Sequence, residues 1–174
     1  NRQFSTKCAF FKELADGRML LDQCEIALED GTVITAEAAE TRGRLADEEL
    51  PAEILLNGKV HMETPEGASV DAVDATYLHA TGRMDMPGAV AFVRGRVSGR
   101  GVGGSYERDT GVFTLRSEAR VQGAAASDNQ GSFTAASSSL TFNRASRSLL
   151  FDGGAVIDTE RSRMTADRAV LYLT

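Results

Sequence analysis

The chain has 174 residues, enough for one domain, and lacks any stretch near the roughly 20 apolar residues of a membrane-spanning helix. Its net charge of −6 argues against nucleic-acid binding, which needs a concentrated basic surface. The arginines stand singly along the sequence, as on a solvated face. Seventeen glycines with only three prolines predict many short strands joined by tight turns, in a single domain over residues 1–174.

A hairpin is the first predicted element. Ala15-Asp16-Gly17 suits a three-residue loop with its glycine in the left-handed conformation. Pairing of Leu14 with Arg18 would then place Cys8 opposite Cys24, close enough for a disulfide in an oxidising compartment. The alternative is a pair of small buried thiols.

Alternation of apolar and polar residues then predicts strands rather than helices. Residues 24–28 and 60–64 alternate in this way, and each is followed by a turn signal containing glycine. Residues 112–115 follow the turn signal Asp109-Thr110-Gly111. The segment 35–42 is rich in the helix formers Ala and Glu, but the strand turns on both sides favour a strand.

A six-residue motif recurs along the chain: an apolar residue, any residue, Ala, two variable residues and a small residue. Copies begin at Ile34, Val70, Phe133 and Met164, with a degenerate glycine-rich copy from Gly99. Small residues at fixed spacing let the backbone bend or bulge while one apolar face stays inward. Such units must stack to bury that face, and their irregular spacing favours a sheet folded over on itself.

Two patterns resemble catalytic or cofactor motifs. Residues 99–104 match the dinucleotide fingerprint G-x-G-x-x-G, but another β-turn follows instead of a helix, so no nucleotide cofactor is expected. Asp71 with Asp74, or Asp85 with Asp109, would offer a carboxylate pair to a glycosidase. Because acidic residues are numerous, solubility explains these pairs better.

The two histidines are not expected to act in chemistry. Neither His61 nor His79 is flanked by a recognisable nucleophile, and both fall on predicted outward registers of their strands. Zinc sites usually need four ligands, and the two cysteines lie far from the histidines in sequence, so no metal site is expected. The chain is therefore predicted not to be an enzyme.

The repeat resembles that of the OstA-like proteins of lipopolysaccharide export over roughly residues 20–174. In those proteins a glycine and a valine open a strand. It is followed by a glycine turn, a strand with alanines, a tyrosine and a threonine-glycine turn. The matching segments are Leu56-Asn57-Gly58-Lys59-Val60, Glu66-Gly67, Val70-Asp71-Ala72-Val73-Asp74-Ala75-Thr76-Tyr77, Thr81-Gly82, Gly154-Ala155-Val156 and residues 164–171.

The resemblance implies an open, V-shaped β-jellyroll of two antiparallel sheets built from repeated short-strand units. It implies a periplasmic protein of outer-membrane biogenesis that holds the acyl chains of lipopolysaccharide in an apolar groove and passes them along a bridge, without a chemical step. Among family members the chain most resembles the LptC proteins, with the LptA proteins second. The rival hypotheses are a structural β-scaffold without a lipid and, less favoured, a carbohydrate-active β-helix enzyme.

The implied partners are lipopolysaccharide, related β-jellyroll proteins such as LptA and subunits of an inner-membrane transporter. LptC proteins carry an N-terminal membrane anchor, and no such segment is present here. The chain begins at Asn1 without Met or a signal-peptide pattern, so a leader or anchor is expected to have been removed or to lie outside this sequence.

The candidate groove residues share an inward register in the predicted strands, where about 0.8 kcal/mol per buried methylene would suffice for affinity. They are Ile26, Leu28, Ile34, Val60, Met62, Val70, Phe92, Phe113, Leu115, Val121, Phe133, Leu140 and Met164. Most of them are expected to be simple core. The terminal apolar run Ala169-Val170-Leu171-Tyr172-Leu173 is the candidate edge strand for a partner jellyroll, as the resemblance implies.

Overall fold

The computed structural model describes residues 4–43, 51–125 and 131–173, and the expected all-β fold is confirmed. Within these ranges the chain forms no helix, so none of them offers a helix that could cross a membrane. The strands are β1 (Phe4–Glu13), β2 (Met19–Leu28), β3 (Val33–Arg42), β4 (Glu53–Glu63), β5 (Ala68–Leu78), β6 (Arg83–Arg94), β7 (Val97–Glu107), β8 (Val112–Gly123), β9 (Phe133–Ser137), β10 (Ser139–Asn143), β11 (Ser148–Thr159) and β12 (Arg163–Tyr172).

The strands form one antiparallel sheet in which spatial order follows chain order. β9 and β10 are separated only by Ser138, and both pair with β8 and with β11, so they act as two halves of one strand. The two sheets of the expected V are therefore the two halves of a single continuous sheet. Every neighbouring pair is local in sequence, which keeps the entropy cost of closing each hairpin small.

A line of β-bulges crosses the sheet near the middle of its strands; we call it the bend line. A bulge adds a residue on one strand, which bends that strand and increases its twist. Several bulges contain a residue with positive φ, such as Gly58 at +80° and Asp74 at +56°. The register shifts lie at Ala36/Ala38, Leu56/Lys59, Ala72/Thr76, Met86/Ala89, Arg100/Val102 and Asp152/Ala155.

The bend line divides the sheet into two layers. The first layer carries the turns at Gly31 and Gly67, and the second layer carries those at Gly82 and Gly111. The inner faces of the layers pack against each other and form one core cluster. Within that cluster Phe92 of the first layer meets Phe113 of the second edge to face, with ring centroids 5.6 Å apart.

The recurring motif marks the approach to the bend line. Its copies begin near the starts of β3, β5, β7, β9 and β12. Ala36 and Ala72 are buried and directly precede a register shift. In the glycine-rich copy, a Cβ on Gly101 would lie 2.9 Å from the Ser117 carbonyl oxygen. At Gly101 the bent backbone therefore leaves no room for a side chain, which agrees with the expected role of small residues in this motif.

The N-terminal hairpin has the predicted register. The Leu14 N–H donates to the Arg18 carbonyl over 2.8 Å, and Gly17 has a φ of +82°. Cys8 lies opposite Cys24, and a disulfide joins them with the Cα atoms 4.3 Å apart. The bond ties the edge strand β1, which is mostly exposed, to β2, whose Cys24 lies in the core.

The predicted outward position is wrong for His79, which is only 2% exposed. Counting alternate residues along β5 from the buried Val70 places His79 outside. The bulge at Asp74 inserts one extra residue, so Tyr77 and His79 instead face inward. A one-residue shift moves every later side chain to the other face of a strand. His61, whose segment of β4 follows that strand's bulge, does face outward.

The disulfide generates the first prediction. It joins residues 16 positions apart, and for a closed loop of this length chain-entropy estimates give a stabilisation of about 3 kcal/mol. Oxidised protein should show no accessible thiols on titration, and reduction should lower the free energy of unfolding in urea by up to that amount. Two accessible thiols in the oxidised, folded protein would contradict the pairing.

The bend line generates the second prediction. Gly58→Ala should lower the free energy of unfolding by about 1 kcal/mol or more, because an L side chain is strained at positive φ. It would also crowd the Glu37 side chain. Gly88→Ala is the matched control in β6, since a Cβ there meets only the Val73 carbonyl, at an ordinary 3.5 Å. If urea denaturation shows the same loss of unfolding free energy in both variants, the loss in Gly58→Ala does not come from backbone strain.

Candidate functional site

An apolar slot lies between the two layers at their turn ends. Its enclosed volume is about 50 Å³, and its walls are almost entirely carbon. Burial raises the pKa of the Tyr106 phenol, which borders the slot. The apolar side chains of the walls are Met62, Val70, Phe92 and Val97 from the first layer, and Phe113, Phe142, Leu149 and Leu173 from the second layer and its C-terminal extension.

The structure arranges the sequence-predicted groove residues largely as one row. Seven of them lie in a single cross-strand row of the first layer that runs from β2 to β12. The seven are Ile26, Ile34, Met62, Val70, Phe92, Val121 and Met164. Leu28 and Val60 lie beside this row, and Phe113, Leu115 and Leu140 lie in the second layer. Of the thirteen candidates, four border the slot: Met62, Val70, Phe92 and Phe113.

Burial separates two candidates from the rest. Eleven are buried in the core cluster, whereas Phe133 is half-buried and Met164 is 52% exposed. The row of Val70 passes through Ala135 of β9. Phe133 lies two residues nearer the loop, pairs with Gly123, and has its ring over that glycine. Met164 lies in the inward row, but β12 is the last strand of the sheet, and among the described residues no further strand covers this side chain.

Two arginines and a glutamate surround the slot. The Arg94 guanidinium lies 4.7 Å from the centroid of the Phe142 ring. This contact joins the first layer to the second. The Arg144 Nη1 lies 3.1 Å from Glu66 Oε1, an ion pair that joins the turn between β4 and β5 to the turn between β10 and β11. The slot therefore has apolar walls and a charged rim.

The sequence analysis missed the two arginines. All arginines were interpreted as solvated, yet Val90, Phe92 and Arg94 occupy alternate positions of β6 and share the inward register. A charged residue in an otherwise apolar register was the available signal for Arg94. Arg144 carried no such signal, because it lies in a predicted turn and its partner Glu66 is 78 residues away.

The observed slot is too small to hold an acyl chain. Ligand pockets usually measure about 300–1,000 Å³, whereas this slot encloses about 50 Å³. Entry of a chain therefore requires the two layers to move apart at their turn ends. The Glu66–Arg144 pair opposes that movement only weakly, since both side chains are more than one-third exposed and such pairs contribute at most about 1 kcal/mol.

A second concave surface lies on the outer face of the first layer. This open groove of about 1,090 Å³ is bordered by charged side chains, among them Lys59, His61 and Arg120. Hydrogen bonds to Asp71 (2.7 Å) and Glu63 (3.1 Å) raise the pKa of His61 above its ordinary value. The groove is larger than the slot, but its charges face solvent and it does not offer an enclosed apolar surface for alkyl chains.

The candidate edge strand lies at one end of the sheet. β12 pairs with β11 and, among the described residues, has no other strand neighbour. Ala169 and Leu171 pack partly against the core, whereas Val170 and Tyr172 are 49% and 71% exposed. Leu173 borders the slot, and its N–H donates to the Arg147 carbonyl, so the edge and the slot meet at the end of β12.

The carboxylates considered for glycosidase chemistry are engaged elsewhere. Asp71 is bonded to His61, and Asp74 accepts a hydrogen bond from the Gly58 N–H (2.8 Å) at the bend line. Asp85 pairs with Arg83 and Arg116, and Asp109 pairs with Arg108. In the described ranges, no three His, Cys, Asp or Glu side chains gather as a metal site would need.

Comparison with known proteins gives a result only at the level of structure. No protein-family model matches the chain, and no curated protein matches it in sequence. Among solved structures, one similar chain is LptH from Pseudomonas aeruginosa, described as the LptA-homologous periplasmic component of the conserved lipopolysaccharide transport device. The likeness is in the path of the chain. The structural superposition has a TM-score of 0.48 with 10% sequence identity, and it covers 61% of this chain and 76% of the LptH chain.

Proposed function

We propose that this protein binds lipopolysaccharide in the periplasm and relays it as one unit of a bridge towards the outer membrane. The observation that carries the proposal is the apolar slot between two layers of one bent sheet. Alkyl chains form no hydrogen bonds, so such walls bind them by burial alone, at about 0.8 kcal/mol per methylene. The candidate groove residues, above all Met62, Val70, Phe92 and Phe113, would contact the chains after the layers part.

The fold is suited to opening at one side. The bend line holds the layers together through continuous backbone pairing, whereas their turn ends meet through side chains such as Phe92 and Phe113. Separation at the turn ends would break side-chain contacts and leave the ladder of the sheet intact. An acyl chain that enters would replace the lost apolar contacts, which makes opening and binding a single equilibrium.

The relay would use the β12 edge. An edge strand presents unpaired backbone donors and acceptors that a strand of another jellyroll can satisfy. Because Leu173 borders the slot, a related jellyroll docked beside Ala169–Leu173 would continue the apolar interior from one protein to the next. The proposed partners are therefore lipopolysaccharide and LptA-like or transporter-associated jellyrolls. A tether to the inner membrane would place the protein at the start of such a bridge.

The alternative is a structural β-scaffold without a lipid ligand, in which the slot is a minor packing defect. Its volume of about 50 Å³ is compatible with that interpretation. Lipid capture at the slot separates the two functions, because a scaffold has no reason to place an alkyl chain beside Phe142.

The third prediction tests lipid capture by photo-crosslinking. A benzoylphenylalanine at position 142 should form an adduct with purified lipopolysaccharide, because Phe142 is half-buried and borders the slot. The same residue at position 93 is the control, since Val93 is 46% exposed and lies on the outer face next to Phe92. The readout is the adduct mass, and a thermal melt of each protein checks folding. Equal adducts at both positions, or none at 142 in a folded protein, would oppose lipid binding in the slot.

The fourth prediction concerns the edge. Val170→Lys should weaken capture of an LptA-type jellyroll by about tenfold, because a charge on an edge strand opposes strand addition. Phe10→Lys is the matched control, since Phe10 is 61% exposed on β1 at the opposite end of the sheet. Capture is measured by surface binding with each variant immobilised through its N-terminus. Equal weakening by both substitutions would indicate a nonspecific effect of charge.

A further inference from the structure

We propose that Arg94 and Arg144 form a binding site for a phosphate headgroup at the mouth of the slot. The ligand would be a phosphorylated amphiphile whose chains enter between the layers while its phosphate is bound by the two guanidinium groups. This inference rests on the proposed function, since it assumes that chains enter the slot, and it adds the chemistry that selects which amphiphile is bound.

Arg94 supplies a donor without an acceptor. Its Nη1 is buried and has no hydrogen-bond partner among the described residues, while its guanidinium stacks near Phe142. A guanidinium carries five N–H donors and cannot lose its charge in a protein, so an unsatisfied buried donor costs free energy. An anionic oxygen at the mouth of the slot would satisfy this donor through a charge-assisted hydrogen bond.

Arg144 supplies a second cation that is held by a replaceable partner. Its ion pair with Glu66 is partly exposed on both sides and is therefore weak. A phosphate offers more negative charge and more acceptor oxygens than one carboxylate, so it can displace Glu66 from Arg144. Gly111 lies directly beside the Arg144 stem, which keeps this side chain next to the slot.

The exchange would also release one of the contacts between the turn ends of the two layers. With Arg144 bound to phosphate, the turn at Glu66 loses its ion pair to the other layer. The bound phosphate would join the layers in place of that ion pair, because Arg94 belongs to the first layer and Arg144 to the second. Among the described residues that border the slot, Glu66 is the sole carboxylate and Arg94 and Arg144 are the cations, so these side chains together carry a net positive charge that favours anionic ligands.

The outer face provides an internal comparison. Arg100 and Arg120 lie directly opposite each other on β7 and β8, and both are exposed. This pair offers a similar charge to an anion but borders the open groove of the outer face instead of the slot. A ligand attracted by charge alone would use either pair, whereas a phosphorylated amphiphile that places its chains in the slot needs Arg94.

The test compares three probes by titration calorimetry. Dodecyl phosphate and dodecyl maltoside are used below their critical micelle concentrations, and inorganic phosphate is the third probe. The wild-type chain should bind dodecyl phosphate about tenfold more tightly than dodecyl maltoside, and inorganic phosphate most weakly. Arg94→Met keeps an unbranched stem over Phe142 and should abolish the preference for phosphate, so that the ratio of the two dodecyl affinities falls to about one. Arg120→Met, the matched control on the outer face, should retain the full preference.

Glu66→Gln tests the exchange at Arg144. Because this substitution removes the competing carboxylate charge, binding of dodecyl phosphate should tighten more than binding of dodecyl maltoside, which gains only from the lost ion pair between the layers. Weaker binding of dodecyl phosphate by Glu66→Gln would overturn the exchange. A thermal melt of each variant establishes that a change in affinity does not arise from unfolding.

Three outcomes would overturn the headgroup site: no preference for dodecyl phosphate in the wild-type chain, an unchanged preference in Arg94→Met, or an equal loss in Arg120→Met. If lipopolysaccharide still forms an adduct at position 142, these outcomes defeat the headgroup site alone. If neither dodecyl probe binds the wild-type chain and no adduct forms, the proposed lipid-binding function fails as well.

Discussion

The line of β-bulges across the sheet is the constraint on which the rest of the structure depends. Long strands cannot turn back on themselves without breaking their backbone hydrogen bonds, and buried unpaired backbone groups are costly. Bulges solve this problem by placing the bend in the same part of neighbouring strands, so pairing resumes on both sides of the line. The buried alanines beside the bulges, such as Ala36 and Ala72, leave room for the bent backbone.

The core follows from this bend. Most strands cross the bend line and contribute apolar side chains to both layers, and the two inner faces bury each other instead of a separate sheet or helix. The layers are joined covalently and by hydrogen bonds at the bend. In the ranges that the structure describes, their turn ends meet through side chains, where Phe92 contacts Phe113 and Glu66 pairs with Arg144. The least constrained part of the core is therefore also the part that borders the slot. A groove for alkyl chains needs that combination of a stable frame and a separable mouth.

The sequence predicted the inner row of the first layer well, because alternation from Ile34 or Val70 holds until the next bulge. Beyond the bulge the alternation is out of phase, and for this reason His79 was assigned to the wrong face. Arg94 was missed for a different reason: it shares the inward register of Phe92, but composition alone made every arginine look solvated. The slot itself joins residues from strands far apart in the sheet, and no local pattern indicates which of them meet.

What the sequence by itself determined is local: strands from alternation, hairpins from glycine turns, the N-terminal register that places Cys8 opposite Cys24, and the recurrence of small residues. These features depend on backbone geometry within a few residues or across one hairpin. Only the tertiary structure decided which face each residue takes beyond a bulge and which turns of the two layers meet. That outcome depends on the summed twist of many strands, which brings Arg144 to a glutamate 78 residues earlier.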